Sequence, residues 1–367
     1  MIKNKNPKEA KLSEAFREGF KHENFFQTIK REYKELQNFY LDDDRRSRLT
    51  EMGIFRRIFW TLAWLLKLLF LKLHPIRRLV LLVGLILSII SPLGNGEGSG
   101  TFGIDSNIVG PLIVLFVLML ELKDKLLARD ELEAGRRVQM ALMPDRMPLV
   151  SGWEIWLYTR PANDVGGDLV DFYWIDEKTC GLALGDVSGK GLEAALFMAK
   201  LQATIRAYLT DFTTLSKLAE KINRTFHRDS LPNKFASIVF AEFQPNESRV
   251  TLLNAGHMPP IVLRGDQIEE IETHAPAFGL MAEADFEANE IELNSNDILL
   301  LYSDGVTEAR NDEGVFFGEK RLNDVLKFKT APSAQEVGET IIRAIADFKN
   351  DAPFYDDISL VVLKRAG

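Results

Sequence analysis

Cysteine occurs once in the 367 residues, at Cys180, so the chain can form no intramolecular disulfide and no thiolate metal cluster. A basic surplus is missing as well. The 45 Lys and Arg are outnumbered by 53 Asp and Glu, and a net charge of −8 leaves no electrostatic footprint for nucleic acid. No internal repeat is visible, and no complete nucleotide-binding loop. The stretch "GDVSGKG", Gly185 to Gly191, puts three residues rather than four between Gly185 and Gly189, and a glycine where the magnesium-binding hydroxyl belongs. This spacing speaks against a nucleotide hydrolase. What is present is an aspartate, Asp186, between the apolar "CGLALG" and the helical "LEAALFMAKLQATIRAYL". The pattern reads as strand end, tight turn and helix.

Long apolar runs are confined to the first third of the chain. Residues 54–73, "IFRRIFWTLAWLLKLLFLKL", carry Arg56, Arg57, Lys67 and Lys72, which suits an interfacial amphipathic helix over 54–75 better than a span. "LVLLVGLILSIISPL" and "IVGPLIVLFVLML" hold no charge and flank the polar, glycine-rich "GNGEGSGTFGIDSN" from Gly94 to Asn107. Over 76–122 they predict a helical hairpin in the membrane, each run extended by its flanks toward the ~20 residues a bilayer requires. A helical hairpin buried within a soluble protein is the alternative. Arg77 and Arg78 precede the pair, Lys123, Lys125 and Arg129 follow it, and the turn has no basic residue. Such asymmetry places both ends, and everything after residue 122, on the cytoplasmic side of the inner (cytoplasmic) membrane. The apolar stretch begins too far from Met1 for a cleaved signal peptide.

The remaining organisation follows from texture. A chain this long exceeds one ordinary domain. Residues 1–53 are charged, with Phe16, Phe20, Ile29, Tyr33, Leu36 and Tyr40 at helical spacing, and predict a helix on the membrane, on a partner or on the chain itself. Residues 123–148 continue the second run as a helical linker with poor heptads, one candidate route to a homodimer. From 149 to 367, nine short runs rich in β-branched and aromatic residues alternate with helical patterns at 192–208, 215–227 and 334–348. This predicts an α+β domain of two packed antiparallel sheets flanked by helices.

Four acidic positions share one setting: each closes or opens an apolar strand-like run beside glycine or another aspartate. They are Asp168 in "VGGDLVDFY", Asp186 in "LALGDVSGKG", Asp304 in "LLLYSDGVTEA", and Asp356 with Asp357 in "FYDDISLVVL". Gathered carboxylates repel unless a cation neutralises them. Oxygen ligands without a His–Cys cluster point to magnesium or manganese rather than zinc. Two such ions about 4 Å apart suit phosphate-ester hydrolysis.

The ordered segments "VQMALMP", "VGGDLVDFY", "GDVSGKGLEAALFMA", "LNAGHMPPIVL", "LLLYSDGVTEARNDEGVFFG" and "DDISLVV" resemble the PPM-type, protein phosphatase 2C-like serine/threonine phosphatases of the bacterial SpoIIE/RsbU branch. The resemblance covers residues 133–364. It implies a β-sandwich with two Mn2+ or Mg2+ ions at one edge and hydrolysis by a water those ions share. Carried onto this chain it implies Asp186 as bridging ligand with the Val187 carbonyl beside it, Asp304 and Asp356 as ligands of one ion, and Asp168 nearby. Asp357 is the lesser member of its pair. The implied substrate is a phosphorylated regulatory protein such as an anti-sigma-factor antagonist. Leu169 and Val170 replace the family's aromatic after "GGD", and no phosphate-binding arginine matches securely, although Arg160 and Asn163 lie near the first motif.

Other residues read as structural. His257 predicts a turn histidine bonded to backbone, Lys190 a turn residue, Glu308 a prop for the "SDGVT" loop, and Cys180 a core residue. The sequence thus predicts a membrane-anchored phosphoserine/phosphothreonine phosphatase with contacts to lipid through residues 54–122. A catalytically silent scaffold of the same fold is the competing reading.

Overall fold

A computed structural model describes residues 48–49, 52–90, 106–144, 147–212, 214–272, 275–328 and 330–367. The charged helix expected within 1–53 and most of the polar turn at 94–107 lie outside these residues. The chain divides into two compact units, Met1–Lys125 and Leu126–Gly367.

The first unit contains helices α1 (Ile54–Lys72) and α2 (Pro75–Ile90) and the start of α3 (Ser106–Leu142). Proline opens α2 at the position where its missing N–H costs no bond. The two apolar helices meet through small residues. A Cβ on Gly110 would lie 2.6 Å from the Ser88 amide nitrogen and 2.7 Å from the Gly84 carbonyl, so glycine alone permits the approach. The Ser88 hydroxyl donates to the Gly84 carbonyl at 2.7 Å. Arg77 ties the pair at its charged end, to Glu121 at 2.8 Å and Asp124 at 2.7 Å. Leu79, Ile86, Ile89, Leu112, Phe116 and Met119 stand exposed on the outside.

Within 76–122 the described residues hold α2 and the start of α3 in contact, and among the described residues no helix is long and apolar enough to cross a membrane. The 16 described residues of α2 rise about 24 Å against a hydrocarbon core of about 30 Å, and the 19 residues of α1 include Arg56, Arg57, Lys67 and Lys72. Helix α3 runs unbroken for 37 residues, past the charged "ELKDKLLARDELEAGRR", to Leu142.

The second unit holds the end of α3, then β1 (Trp153–Arg160), β2 (Asp168–Trp174), β3 (Cys180–Val187), α4 (Gly191–Tyr208), α5 (Leu215–Asp229), β4 (Ala236–Phe243), β5 (Arg249–Ala255), β6 (Ile261–Arg264) and β7 (Gln267–Glu270). There follow β8 (Ala288–Glu292), β9 (Ile298–Tyr302), the single turn α6 (Asp304–Thr307), α7 (Gly318–Val325), α8 (Ala334–Lys349) and β10 (Ile358–Arg365). Two five-stranded sheets result, ordered β1-β10-β9-β6-β7 and β2-β3-β4-β5-β8, with antiparallel pairing throughout.

Each sheet is covered on both faces, which is why "ILLLY" and "ISLVVL" are continuous apolar runs rather than alternating ones. Along β3, Leu182 and Leu184 point into the core between the sheets, with Val170, Val239, Leu301 and Val361. Ala183 and Val187 point the other way, into a core roofed by Met198, Leu201 and Ile205 of α4 and Ile222 and Phe226 of α5. Helix α8 covers the opposite sheet, with Val337, Ile341 and Ile345 over Trp156, Leu300 and Leu360. Its start is fixed by a capping box between Ser333 and Glu336. Four layers with three apolar interfaces make a rigid frame, and the carboxylates sit where its strands end.

Candidate metal centre

Strand direction brings the four aspartates together. Asp168 opens β2 and Asp186 nearly closes β3; in this antiparallel pair they are direct partners. In the other sheet β9 ends at Tyr302 and its antiparallel neighbour β10 begins at Ile358, so Asp304 and Asp356 emerge at one end as well. Asp357 joins the two sheets at that end. Its carboxylate accepts the Ala162 amide at 2.7 Å and the Gly167 amide at 2.7 Å, beside that of Asp168. Ser303, Ser359 and Thr159 complete the seam: the Ser359 amide donates to the Ser303 hydroxyl at 3.0 Å, and the Ser359 hydroxyl to that of Thr159 at 2.9 Å.

The two adjacent aspartates differ in their partners. Both oxygens of Asp357 are occupied by backbone amides, which makes it the residue that builds the site. Asp356 presents a half-exposed carboxylate toward the cluster, with Oδ2 paired to the Lys190 ammonium at 2.9 Å. Asp356 Oδ1 in turn accepts the Asp357 amide at 3.1 Å.

Burial and mutual repulsion act on the cluster together. The Asp168 side chain is buried, and its Oδ2 finds no hydrogen-bond partner. Burial first, then Asp186 and Asp357, push its carboxyl well above the ordinary range, against a lowering pull from the Ser359 and Ser303 hydroxyls. Burial also raises Asp186, to about 7, with Asp304, Asp356 and Asp357 adding to it. Asp304 is raised by burial, by Asp356 and by Glu308. Carboxylates in this condition are stabilised by a cation and release protons on binding one.

The backbone makes room for such an ion. A Cβ on Gly167 would lie 3.0 Å from the Val187 carbonyl oxygen and 3.2 Å from Asp186 Oδ1, so this glycine keeps open the space that both oxygens face. Among the described residues no three carboxylate, imidazole or thiol side chains form a ready-made cage. The residues nonetheless fit a hard divalent ion: an all-oxygen donor set, an orphaned buried carboxylate oxygen and a glycine-lined gap.

The other candidates separate clearly. Arg160 stacks on Phe354, its guanidinium carbon 4.0 Å from the ring centroid, and Asn163 is exposed; neither is drawn onto the carboxylates. Glu308 is exposed and acts on Asp304 by charge rather than by propping its loop. His257 is held at its backbone amide by Asn254 at 2.7 Å, as a turn residue, and its ring Nδ1 pairs with the Ser237 hydroxyl at 2.8 Å. Burial lowers its pKa to about 4, so the ring is neutral. Cys180 is a buried free thiol in the core. Leu169 and Val170, in place of an aromatic, are both fully packed.

One residue escaped the sequence reading. Gln139, near the end of α3, is buried and clasps the backbone of Gly166: its Nε2 donates to the carbonyl at 2.7 Å and its Oε1 accepts the amide at 3.1 Å. A polar residue inside the quoted "VQMALMP" was the only available signal. The linker helix thereby holds the loop that sets Asp168.

The family described as Stage II sporulation protein E (SpoIIE) matches residues 176–366. Protein IcfG of Synechocystis sp. is 26% identical over 267 residues, 65% of this chain and 42% of its own length. The phosphoserine phosphatase RsbU of Bacillus subtilis is 26% identical over 239 residues, 65% of this chain and 70% of its own. Among solved structures, the SiaA-PP2C domain of Pseudomonas aeruginosa superposes with a TM-score of 0.59 at 18% identity, covering 66% of this chain and 98% of that domain. The PP2C phosphatase domain of SpoIIE from Bacillus subtilis, with a fragment of its regulatory domain, gives 0.51 at 19%, covering 59% and 64%. At these identities the structural likeness bears on the fold.

Proposed function

The chain belongs to the Stage II sporulation protein E (SpoIIE) family, and from that membership we propose that it is a metal-dependent protein phosphatase that removes phosphate from serine or threonine of a regulatory protein. The observation that carries this reading is the gathering of Asp168, Asp186, Asp304 and Asp356 at one end of a rigid sandwich, with the Asp168 Oδ2 buried and without a donor. When bound, magnesium or manganese supplies Lewis acidity and a water of lowered pKa. The chain's part is to hold it. Asp186 pairs with Asp168 across β2 and β3 and feels the charges of Asp304 and Asp356, so it would be one of the ligands, with the Val187 carbonyl facing the same gap. Asp357 and Gln139 fix the loop that carries Gly167 and Asp168.

RsbU and its relative RsbP from Bacillus subtilis are described as phosphoserine phosphatases, and we extend that substrate class to this chain. A phosphorylated anti-sigma-factor antagonist is the partner this suggests. Residues 54–122 are proposed to attach the enzyme to the inner membrane as a two-pass hairpin with the catalytic unit in the cytoplasm. The apolar outer surface of α2 and α3 and the basic residues Arg56, Arg57, Lys67 and Lys72 of α1 support attachment. A signal reaching α3 has a direct route to the site through Gln139.

The test is hydrolysis of a phosphoseryl peptide by the full chain in detergent, with manganese or with chelator, beside Asp304→Ala. Manganese-dependent turnover lost in the variant is expected. A folded chain that binds manganese yet turns nothing over would instead favour a binding scaffold.

A further inference from the structure

The site contains a charge that metal ligation leaves unused. Lys190 ends the "GDVSGKG" turn at the N-cap of α4, in extended backbone. Its ammonium donates to the Tyr355 carbonyl at 2.8 Å and to Asp356 Oδ2 at 2.9 Å, and its charge also reaches Asp304. The neighbouring lysine is differently placed. Lys234 is only 16% exposed and is committed to the Ser188 carbonyl at 3.1 Å and to Glu193 at 3.2 Å. The Lys190 side chain is 59% exposed, and its flexible four-carbon stem allows the head to leave its two acceptors.

An ammonium and a divalent cation cannot share one carboxylate oxygen without repulsion. Asp356 is the carboxylate both require. Resting on the metal reading of the site, we propose that Lys190 is the phosphate-binding cation of this enzyme, held on Asp356 until a divalent ion takes that carboxylate and then turned to the phosphoryl oxygens of the substrate. The exchange raises the positive charge at the cluster by one: the ammonium leaving Asp356 is replaced by a divalent cation, and the freed ammonium meets the incoming dianion. A lysine serves phosphate as a point charge, with no need for a fixed fork. This also accounts for a site in which Arg160 is turned away onto Phe354. No covalent step is involved; the substrate class is a phosphate monoester on a protein side chain.

The experiment compares the full chain in detergent with Lys190→Met and Lys190→Arg, measuring manganese binding by calorimetry and steady-state hydrolysis of p-nitrophenyl phosphate. Removing a competitor should tighten manganese binding several-fold in Lys190→Met, the opposite of what structural damage does. The same variant should raise KM by about tenfold, the scale of one lost charge-assisted contact, with a smaller change in kcat. Lys190→Arg should restore most of the KM. Manganese binding that is unchanged or weaker in Lys190→Met, or an unchanged KM, would overturn the proposal. A native chain that binds no manganese would instead remove the metal reading on which it rests.

Discussion

The Asp357 carboxylate accepts the Gly167 amide at 2.7 Å, and this bond ties the strand end of one sheet to the loop that opens the other. Sequence separation here is 190 residues, so the contact exists only in the finished sandwich. Replacing Asp357 by alanine leaves the Ala162 and Gly167 amides without an acceptor. Loss of about 3 kcal/mol of stability is expected, from two charge-assisted bonds and the amides they satisfy. Denaturation followed by tryptophan fluorescence, with Asp357→Asn losing distinctly less, checks it.

Gln139 makes a different demand on the same loop. Its side chain satisfies both backbone groups of Gly166, so Gln139→Ala strands a donor and an acceptor, at a cost of about 1–3 kcal/mol. Because that loop carries Asp168, manganese affinity should fall together with activity while the far-ultraviolet dichroism stays native. Unchanged affinity would separate the linker from the site.

Glu242 on β4 supplies a pH dependence remote from the metal. Burial, reinforced by Asp176, raises its carboxyl from 4.5 to about 7. The folded state therefore holds a proton that the unfolded state has released, and stability falls as pH rises between these values. The loss amounts to about 1–3 kcal/mol after allowance for partial exposure. Glu242→Gln should flatten the melting temperature between pH 5 and pH 8 and exceed the native chain at pH 8. A parallel pH profile in the variant would contradict this.

Attachment to a bilayer is expected of α1 to α3. The full chain should float with vesicles of phosphatidylethanolamine and phosphatidylglycerol and stay with them through alkaline carbonate. Recovery at the bottom of the gradient in its folded form would confine α2 and α3 to a protein–protein role.

Strand positions were legible because both sheet faces are buried: "CGLALGDV", "ASIVFAEF" and "ISLVVLKR" declare themselves by apolar continuity. The elements missed were polar. β7, "QIEE", sits on a sheet edge with mostly exposed side chains, and α7, "GEKRLNDV", buries little beyond Leu322. The carboxylate cluster could be read because each ligand candidate closes or opens a strand. The supporting residues could not: Asp357, Gln139 and Lys190 act across long sequence distances, and nothing local distinguishes a clamp from a surface side chain. For the amino-terminal third, hydropathy and the placement of basic residues suggested spans, whereas among the described residues no helix is long and apolar enough to cross a membrane.

The central claim is that carboxylates at the sandwich edge hold the metal on which hydrolysis depends. Equilibrium dialysis of manganese against the full chain and Asp186→Asn tests it most directly, because Asp186 pairs with Asp168 and also feels the charges of Asp304 and Asp356. The account predicts saturable binding to the native chain, weakened at least about tenfold in the variant. Equal binding by the two proteins would contradict it.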